Sequence, residues 1–348
     1  MPRPTGGPAI AAARERCARE LKSLSYSITE RQFTYSGFPG RFALPMLGAA
    51  NAMLVGFAGM WALEGSRYAP SAVLLAGIAM TIVVARWMTT RGVLVMPLLR
   101  ESGVNLEATR TGDAPRVWLC AHLDSKSQPV PTLVRSAGLV LEGLGVITAT
   151  ALGIIEAATG AGVPNVFWTI AGAVTLAGAI PVGLSMVGSR SPGALDNASG
   201  VATVIAAARL LGDMGGVGVL ITDAEELGLA GARAWAHGRN AVTVLNCDGV
   251  DDDGELTVMR AGRISDRLTA ALRSHGAAIG PHFPGVLTDA VAFADAGHES
   301  ATISRGSIRS FVRVHSRRDD LNHLRSDGVA PTAVCLAATV RHLLPASA

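Results

Sequence analysis

The placement of its apolar runs constrains this chain more than any other feature. Phe42 to Leu63, Tyr68 to Ala85 and Val163 to Gly188 contain no charged residue, and Ala137 to Ala158 contains only Glu142 and Glu156. A bilayer core takes about 20 apolar residues per helix, so the runs predict about four transmembrane helices in two hairpins. The first run begins too late and extends too far for a cleaved leader. Arg86 and Trp87 close the second run, as headgroup-seeking residues do. A carboxylate inside a membrane is a functional candidate by default. The reading favoured here shifts the third span so that Glu142 and Glu156 both lie near its ends.

The hairpins divide the chain. Residues 1–41 read as a basic amino-terminal arm, with a surface helix over 8–24, and 42–88 as a transmembrane hairpin. Residues 92–130 and 189–348 read as one split catalytic domain, with 137–188 as an inserted transmembrane hairpin. Within the split domain the runs 116–121, 217–222, 242–247, 255–259 and 301–304 are short and rich in Val, Leu and Ile, as buried strands are. Helices are expected over 197–211, 229–238, 265–275 and 330–343. Such alternation predicts an α/β fold, a three-layer α/β/α sandwich with a mostly parallel sheet.

Composition narrows the function classes. Hydrophobic residues make up 49% of the chain and charged ones 16%, and the apolar excess sits in the four runs. A net charge of +3 and an aromatic content of 5% give no basis for nucleic-acid binding. Cys17, Cys120, Cys247 and Cys335 are widely spaced and form no C-x-x-C pair, so they read as reduced thiols. Four spans put the amino terminus and the catalytic part on one side. The basic arm and the basic stretch 86–135, against turns 64–67 and 159–164 with a single Arg, place that side in the cytoplasm. The expected protein is an integral membrane protein of the cell membrane, with lipid as one partner.

Five short motifs carry the chemistry: Ala-His-Leu-Asp at 121–124, Gly-Ala-Leu-Asp-Asn at 193–197, Asp-Ala-Glu-Glu at 223–226, Asn-Cys-Asp at 246–248 and His-Ser-Arg-Arg-Asp at 315–319. Together they offer His122, Asp196, Glu226, Asp248 and His315 as imidazole and carboxylate donors suited to zinc, with Glu225 left over as a base. Three motifs follow expected strands, and carboxyl ends of strands line the ligand crevice of an open α/β sheet. Asp196 also reads as a helix N-cap, since Asp-Asn-Ala-Ser is a capping pattern. Adjacent Glu225 and Glu226 point in different directions and can divide labour between a metal and a water. Asp124 is placed to support His122 from behind, and Asp319 to do the same for His315. His237, His275, His282, His298, His323 and His342 read as structural or surface residues, and Asp251–Asp253 as a solvated turn.

In this order and with these residue types, the motifs resemble the co-catalytic di-zinc aminopeptidases of metallopeptidase family twenty-eight, in a membrane-embedded variant. The resemblance covers roughly 92–130 and 189–348. It implies that His122 and Asp248 hold one zinc, Glu226 and His315 the other, and that Asp196 bridges them. Glu225 becomes the general base and Asp124 its companion in the catalytic set. Thr288-Asp289 is similar to the family's Ser-Asp element. Two departures stand out. About 74 residues separate the His-x-Asp motif from the bridging Asp, where the family has a short connection, and Ala290 occupies a place where many relatives carry His.

The implied activity is removal of the amino-terminal residue from short peptides by metal-activated water, with two Zn2+ ions as cofactor. Mn or Co suits such donors too. Two alternatives stay open. One is related amide chemistry, either carboxypeptidase-type cleavage or glutaminyl cyclisation. The other is a catalytically inert membrane scaffold.

Overall fold

A computed structural model describes residues 1–110, 114–281 and 286–344. Its helices are α1 (Pro8–Ser23), α2 (Phe38–Leu63), α3 (Ala69–Trp87), the single turn α4 (Val93–Val95), α5 (Thr132–Thr159), α6 (Asn165–Gly183), α7 (Ser199–Leu211), α8 (Ala230–Ala236), α9 (Asp266–Arg273), α10 (Asp289–Asp295), α11 (Ile308–Arg313) and α12 (Val329–Leu343). Its strands are β1 (Ser27–Ser36), β2 (Arg100–Thr109), β3 (Val117–His122), β4 (Val217–Thr222), β5 (Thr243–Val250), β6 (Glu255–Arg260), β7 (Ala278–Pro281) and β8 (Glu299–Gly306). These elements form two units. A sandwich unit takes Met1–Gly37, Leu94–Ser127 and the chain from Gly188 onward, and a helical unit takes Phe38–Val93 and Gln128–Val187.

The sandwich unit is built on one eight-stranded sheet in the order β1-β2-β4-β3-β5-β8-β6-β7. The centre, β4-β3-β5-β8, is parallel. The sheet is mostly parallel, β6–β7 included, with antiparallel pairing of β1–β2, β2–β4 and β6–β8 toward the flanks. Strand periodicity explains the layers, because alternate side chains face opposite sides. Val117, Leu119 and Ala121 of β3 join one core with residues of α1, α7, α9 and α12. Trp118 and Cys120 join the other with residues of α8 and α10. There Trp118, Trp235 and Phe293 pack edge to face, with centroids 5.0 and 5.4 Å apart.

The amino-terminal segment departs from its reading as an arm. Ile10, Cys17 and Leu21 of α1 lie in the sandwich core, and β1 runs the length of β2 as an edge strand. Its apolar residues are too few and too spread among charges to signal a buried face. The acidic run also differs from a solvated turn: Asp251 is buried, accepting from Ser310 Oγ at 2.6 Å and from Arg313. His282 lies outside the described residues.

The helical unit consists of α2, α3, α5 and α6, each long and apolar enough to cross a membrane. A fifth stretch, Ala194–Leu211, passes the same length and composition criteria. It belongs to the sandwich, where Val201, Val204, Ala207, Ala208 and Leu211 fill the core. Inside the helical unit small residues let backbones meet. A Cβ on Gly178 would lie 2.4 Å from the backbone nitrogen of Glu142, and one on Gly145 2.1 Å from Thr175 Oγ1. Glu156 sits near the end of α5 as expected, accepting from Val163 N at 2.8 Å and Trp168 Nε1 at 3.2 Å. Glu142 does not lie at an end. It is buried a third of the way along α5 and accepts from Asn51 Nδ2 of α2 at 2.6 Å. That amide supplies the partner that a helix end would otherwise have provided.

Candidate metal centre

Sheet topology delivers the site. β3 ends at His122, β4 leads directly into Asp223 and the short turn Glu225–Leu227, and β5 carries Asp248 near its carboxyl end. The loop before α7 brings Asp196, and the segment after α11 brings His315. His315 holds a left-handed backbone (φ 63°), a conformation that non-glycine residues keep mainly where the surroundings enforce it.

Two donor groups result: His122, Glu225 and Asp248 in one, and Asp196, Glu226 and His315 in the other. Asp196 joins them. Its Oδ1 lies 3.0 Å from His122 Nε2 and its Oδ2 3.0 Å from His315 Nε2. His122 Nε2 is also 3.6 Å from Asp248 Oδ1, and His315 Nε2 is 3.4 Å from Glu226 Oε1. Imidazole Nδ1 of His122 donates to the Asp124 carbonyl at 3.1 Å, which leaves Nε2 as the free lone pair. That buried Nε2 has no hydrogen-bond partner among the described residues, although two carboxylates face it. An orphaned lone pair among carboxylates fits a cation, and the mixture of N and O donors suits zinc. None of the four buried cysteines enters either group.

Electrostatics sets the carboxylates apart. Burial works against ionisation of Asp196, yet the His122 and His315 imidazoles beside its two oxygens hold it well below the usual carboxylate range. Burial likewise opposes Glu226, but the Lys126 ammonium, 2.6 Å from Oε2, brings it down to about 2. Glu225 goes the other way. Burial pushes it well above its ordinary value, the nearby Glu226 and Asp248 add to this, and His122 offsets only part. Burial raises Asp248 as well.

Supporting residues hold the donors in place. The Asp124 carboxylate accepts the backbone N–H groups of Glu225 and Glu226, each at 3.1 Å, and approaches His122 Nδ1 at 3.5 Å. It is placed to fix the Glu225–Glu226 turn. Asp319 differs from its expected place behind His315. Its carboxylate accepts the N–H groups of Leu195 and Asp196, and burial with the adjacent Asp196 charge raises it to about 7. Asp289 is fully buried, takes the Thr222 hydroxyl and is raised by burial to about 7. The capping role considered for Asp196 falls to Asn197, whose Oδ1 accepts from Gly200 N at 3.0 Å. Gly200 is needed at that point, since a Cβ there would meet Cys247 O at 2.4 Å. Gly193, at φ 66°, makes the turn that presents Asp196.

Arg3 went unrecognised in the sequence. Its guanidinium donates to Leu123 O at 2.8 Å, Pro192 O at 2.7 Å and Gly193 O at 2.9 Å, and its backbone N–H to Ser125 Oγ at 2.9 Å. One buried side chain thereby ties the His122 loop to the Asp196 loop. Both loops border the long excursion of the chain, and Ser127 and Gly188 pair where it leaves and returns. A lone Arg between prolines carries no pattern that would have revealed this.

The sandwich and its gathered donors define an α/β/α fold with a candidate metal centre at the carboxyl ends of its central strands. Residues 179–340 match the model of peptidase family M28. Among solved structures, a zinc aminopeptidase from Bacillus subtilis aligns at 14% identity with a TM-score of 0.54, covering 98% of this chain and 91% of that one. An aminopeptidase from Aneurinibacillus sp. strain AM-1 aligns at 15% identity and TM-score 0.52, over 98% and 90%. A glutaminyl cyclase from Bacteroides thetaiotaomicron aligns at 12% identity and TM-score 0.54, over 100% and 93%. No curated protein sequence matches the chain.

Proposed function

We propose that this protein is a membrane-anchored di-zinc aminopeptidase that hydrolyses the amino-terminal peptide bond of short peptides. The observation that carries the reading is the sharing of Asp196, one oxygen toward each imidazole, between two three-donor groups. His122 and Asp248 would hold one zinc, Glu226 and His315 the other, and Asp196 would bridge. A bound zinc pair supplies Lewis acidity and lowers the pKa of water toward about 7.

Glu225 is the base. At 4.0 Å from His122 Nε2 it is less engaged than Asp196 or Asp248, and burial raises its proton affinity toward that of a working base. It takes a proton from water as the water oxygen attacks the scissile carbonyl carbon. It then gives that proton to the leaving amine as the C–N bond breaks, yielding a carboxylic acid and a shortened peptide. Asp124 keeps Glu225 oriented through its backbone N–H.

Two donor groups favour two-ion hydrolysis over glutaminyl cyclisation, which typically needs a single zinc. The exposed apolar faces of α2, α3, α5 and α6, such as Met80, Val83 and Ile147, support membrane anchoring. The basic residues of 1–41 and 86–135 support a cytoplasmic hydrolase. Aminoacyl and dipeptide substrates, assayed with and without a chelator, test the activity. Chelator-sensitive release of amino-terminal residues is expected. Cleavage only at the carboxyl terminus, or none with zinc bound, would contradict it. A tag near Gly162 that is accessible only from the cytoplasm would overturn the orientation.

A further inference from the structure

The two donor groups are not equivalent. Lys126 is one of only two lysines in the chain. Its ammonium lies 2.6 Å from Glu226 Oε2 and its backbone N–H 3.2 Å from Glu226 Oε1. Oε1 faces His315 Nε2 at 3.4 Å, so the two oxygens of Glu226 look in different directions. One faces the donor group, and the other is occupied by a cation that belongs to the chain itself. Glu225 and Asp248, in the other group, pair with no lysine or arginine among the described residues; their ion-pair partner is His122.

We infer that Lys126 is a positioning residue that restricts Glu226 to one-oxygen coordination and makes the Asp196–Glu226–His315 half the weaker and more readily exchanged metal position. This rests on the two-ion reading above. Two physical effects of the ammonium compete. By fixing the Glu226 carboxylate it organises a ligand, and loss of such an outer partner typically costs about 10- to 100-fold in metal affinity. It also sets a positive charge within a few ångströms of any cation bound there, in a buried site where like charges repel strongly. Glu226 Oε1 also accepts the backbone N–H of residue 126 at 3.2 Å, which a side-chain substitution leaves in place, so the orienting effect is partly redundant and the repulsion is not. The charge effect therefore prevails. In the metal-free protein the same ammonium compensates a carboxylate that has no other lysine or arginine partner among the described residues.

The test is stepwise zinc binding to the metal-free full chain in detergent, measured by competition with a chromophoric chelator. Thermal unfolding of the metal-free form is the second readout. Wild type is expected to bind zinc in two unequal steps. In Lys126→Met the weaker step should tighten by roughly tenfold through relief of the like-charge repulsion, while the metal-free form melts at a lower temperature. Lys126→Arg keeps the charge and should retain two unequal steps. Lys126→Gln serves in place of Lys126→Met if that variant fails to fold. A weaker step that is unchanged or loosened in Lys126→Met would overturn the inference with the two-ion reading intact. Binding of a single zinc by wild type and variants alike would overturn both.

Discussion

In the sandwich unit the large apolar side chains point inward, and in the helical unit they point outward. Leu119, Ile221 and Phe293 are buried, whereas Met80, Ile147 and Val83 are exposed. Polar chemistry is distributed accordingly. The sandwich gathers His122, Asp196, Glu225, Glu226, Asp248 and His315 at one rim of its sheet, each partnered by another donor or by a backbone amide. The helical unit pairs Glu142 with Asn51 and Arg135 with Gln128, and caps Glu156 with Trp168 and a backbone N–H. Apolar residues of the same types thus follow opposite rules, the pattern expected when one unit faces water and the other hydrocarbon. Water drives apolar surface inward, while hydrocarbon gives no such drive and leaves close backbone packing at small residues to hold helices together.

The largest expected difference lies in function. Glu225→Gln should lower kcat by about 10²–10⁴-fold with zinc content unchanged, as loss of a general base does. The same carboxylate-to-amide change in the other unit, Glu142→Gln, should leave turnover intact. Equal losses would erase the functional contrast between the units.

Next comes the cost of deleting core volume. Ile221→Ala should destabilise the protein by about 2–5 kcal/mol in thermal or denaturant unfolding, since it leaves a cavity between β4 and the helices on it. Arg3→Ala removes three charge-assisted hydrogen bonds to the ligand loops. A loss of about 1.5–3 kcal/mol is expected, together with weaker zinc retention against a chelator. Destabilisation without any change in zinc retention would reduce Arg3 to a structural tie.

In the helical unit Gly145→Ala should cost more than a glycine-to-alanine change in a helix normally gains. The added methyl meets Thr175, and overpacking of this kind costs about 1–3 kcal/mol. The smallest effect is expected for Ile147→Ala, which removes the same atoms as Ile221→Ala from an outward face and should change stability by no more than about 0.5 kcal/mol. A cost matching that of Ile221 would show that this face is packed and not exposed to lipid.

Much of this contrast was legible in the sequence, for identifiable reasons. The long apolar helices follow from runs nearly free of charge, and the central strands from runs of β-branched and leucine residues. The donors were legible because His-x-Asp, Glu-Glu and Asn-Cys-Asp sit at strand ends, where an α/β sheet exposes side chains. What escaped notice depends on long-range contacts without a local signature. β1 is a mostly exposed edge strand and β2 its inner neighbour, and their pairing stabilises them more than their own pattern does. Arg3 acts through carbonyl groups that any residue can offer. Asp319 stands four residues from His315, but its carboxylate is claimed by amides more than a hundred positions away. Glu142 is accommodated by Asn51, a partner from another helix that periodicity cannot assign.

The most direct test of the account is the metal content of the purified full chain, compared between wild type and Asp196→Ala. About two zinc ions per chain are expected in wild type, and Asp196→Ala, which takes one oxygen from each half, should weaken retention of both. A wild-type protein that binds no zinc, or an Asp196→Ala variant that keeps its full complement with undiminished affinity, would contradict the shared-carboxylate centre.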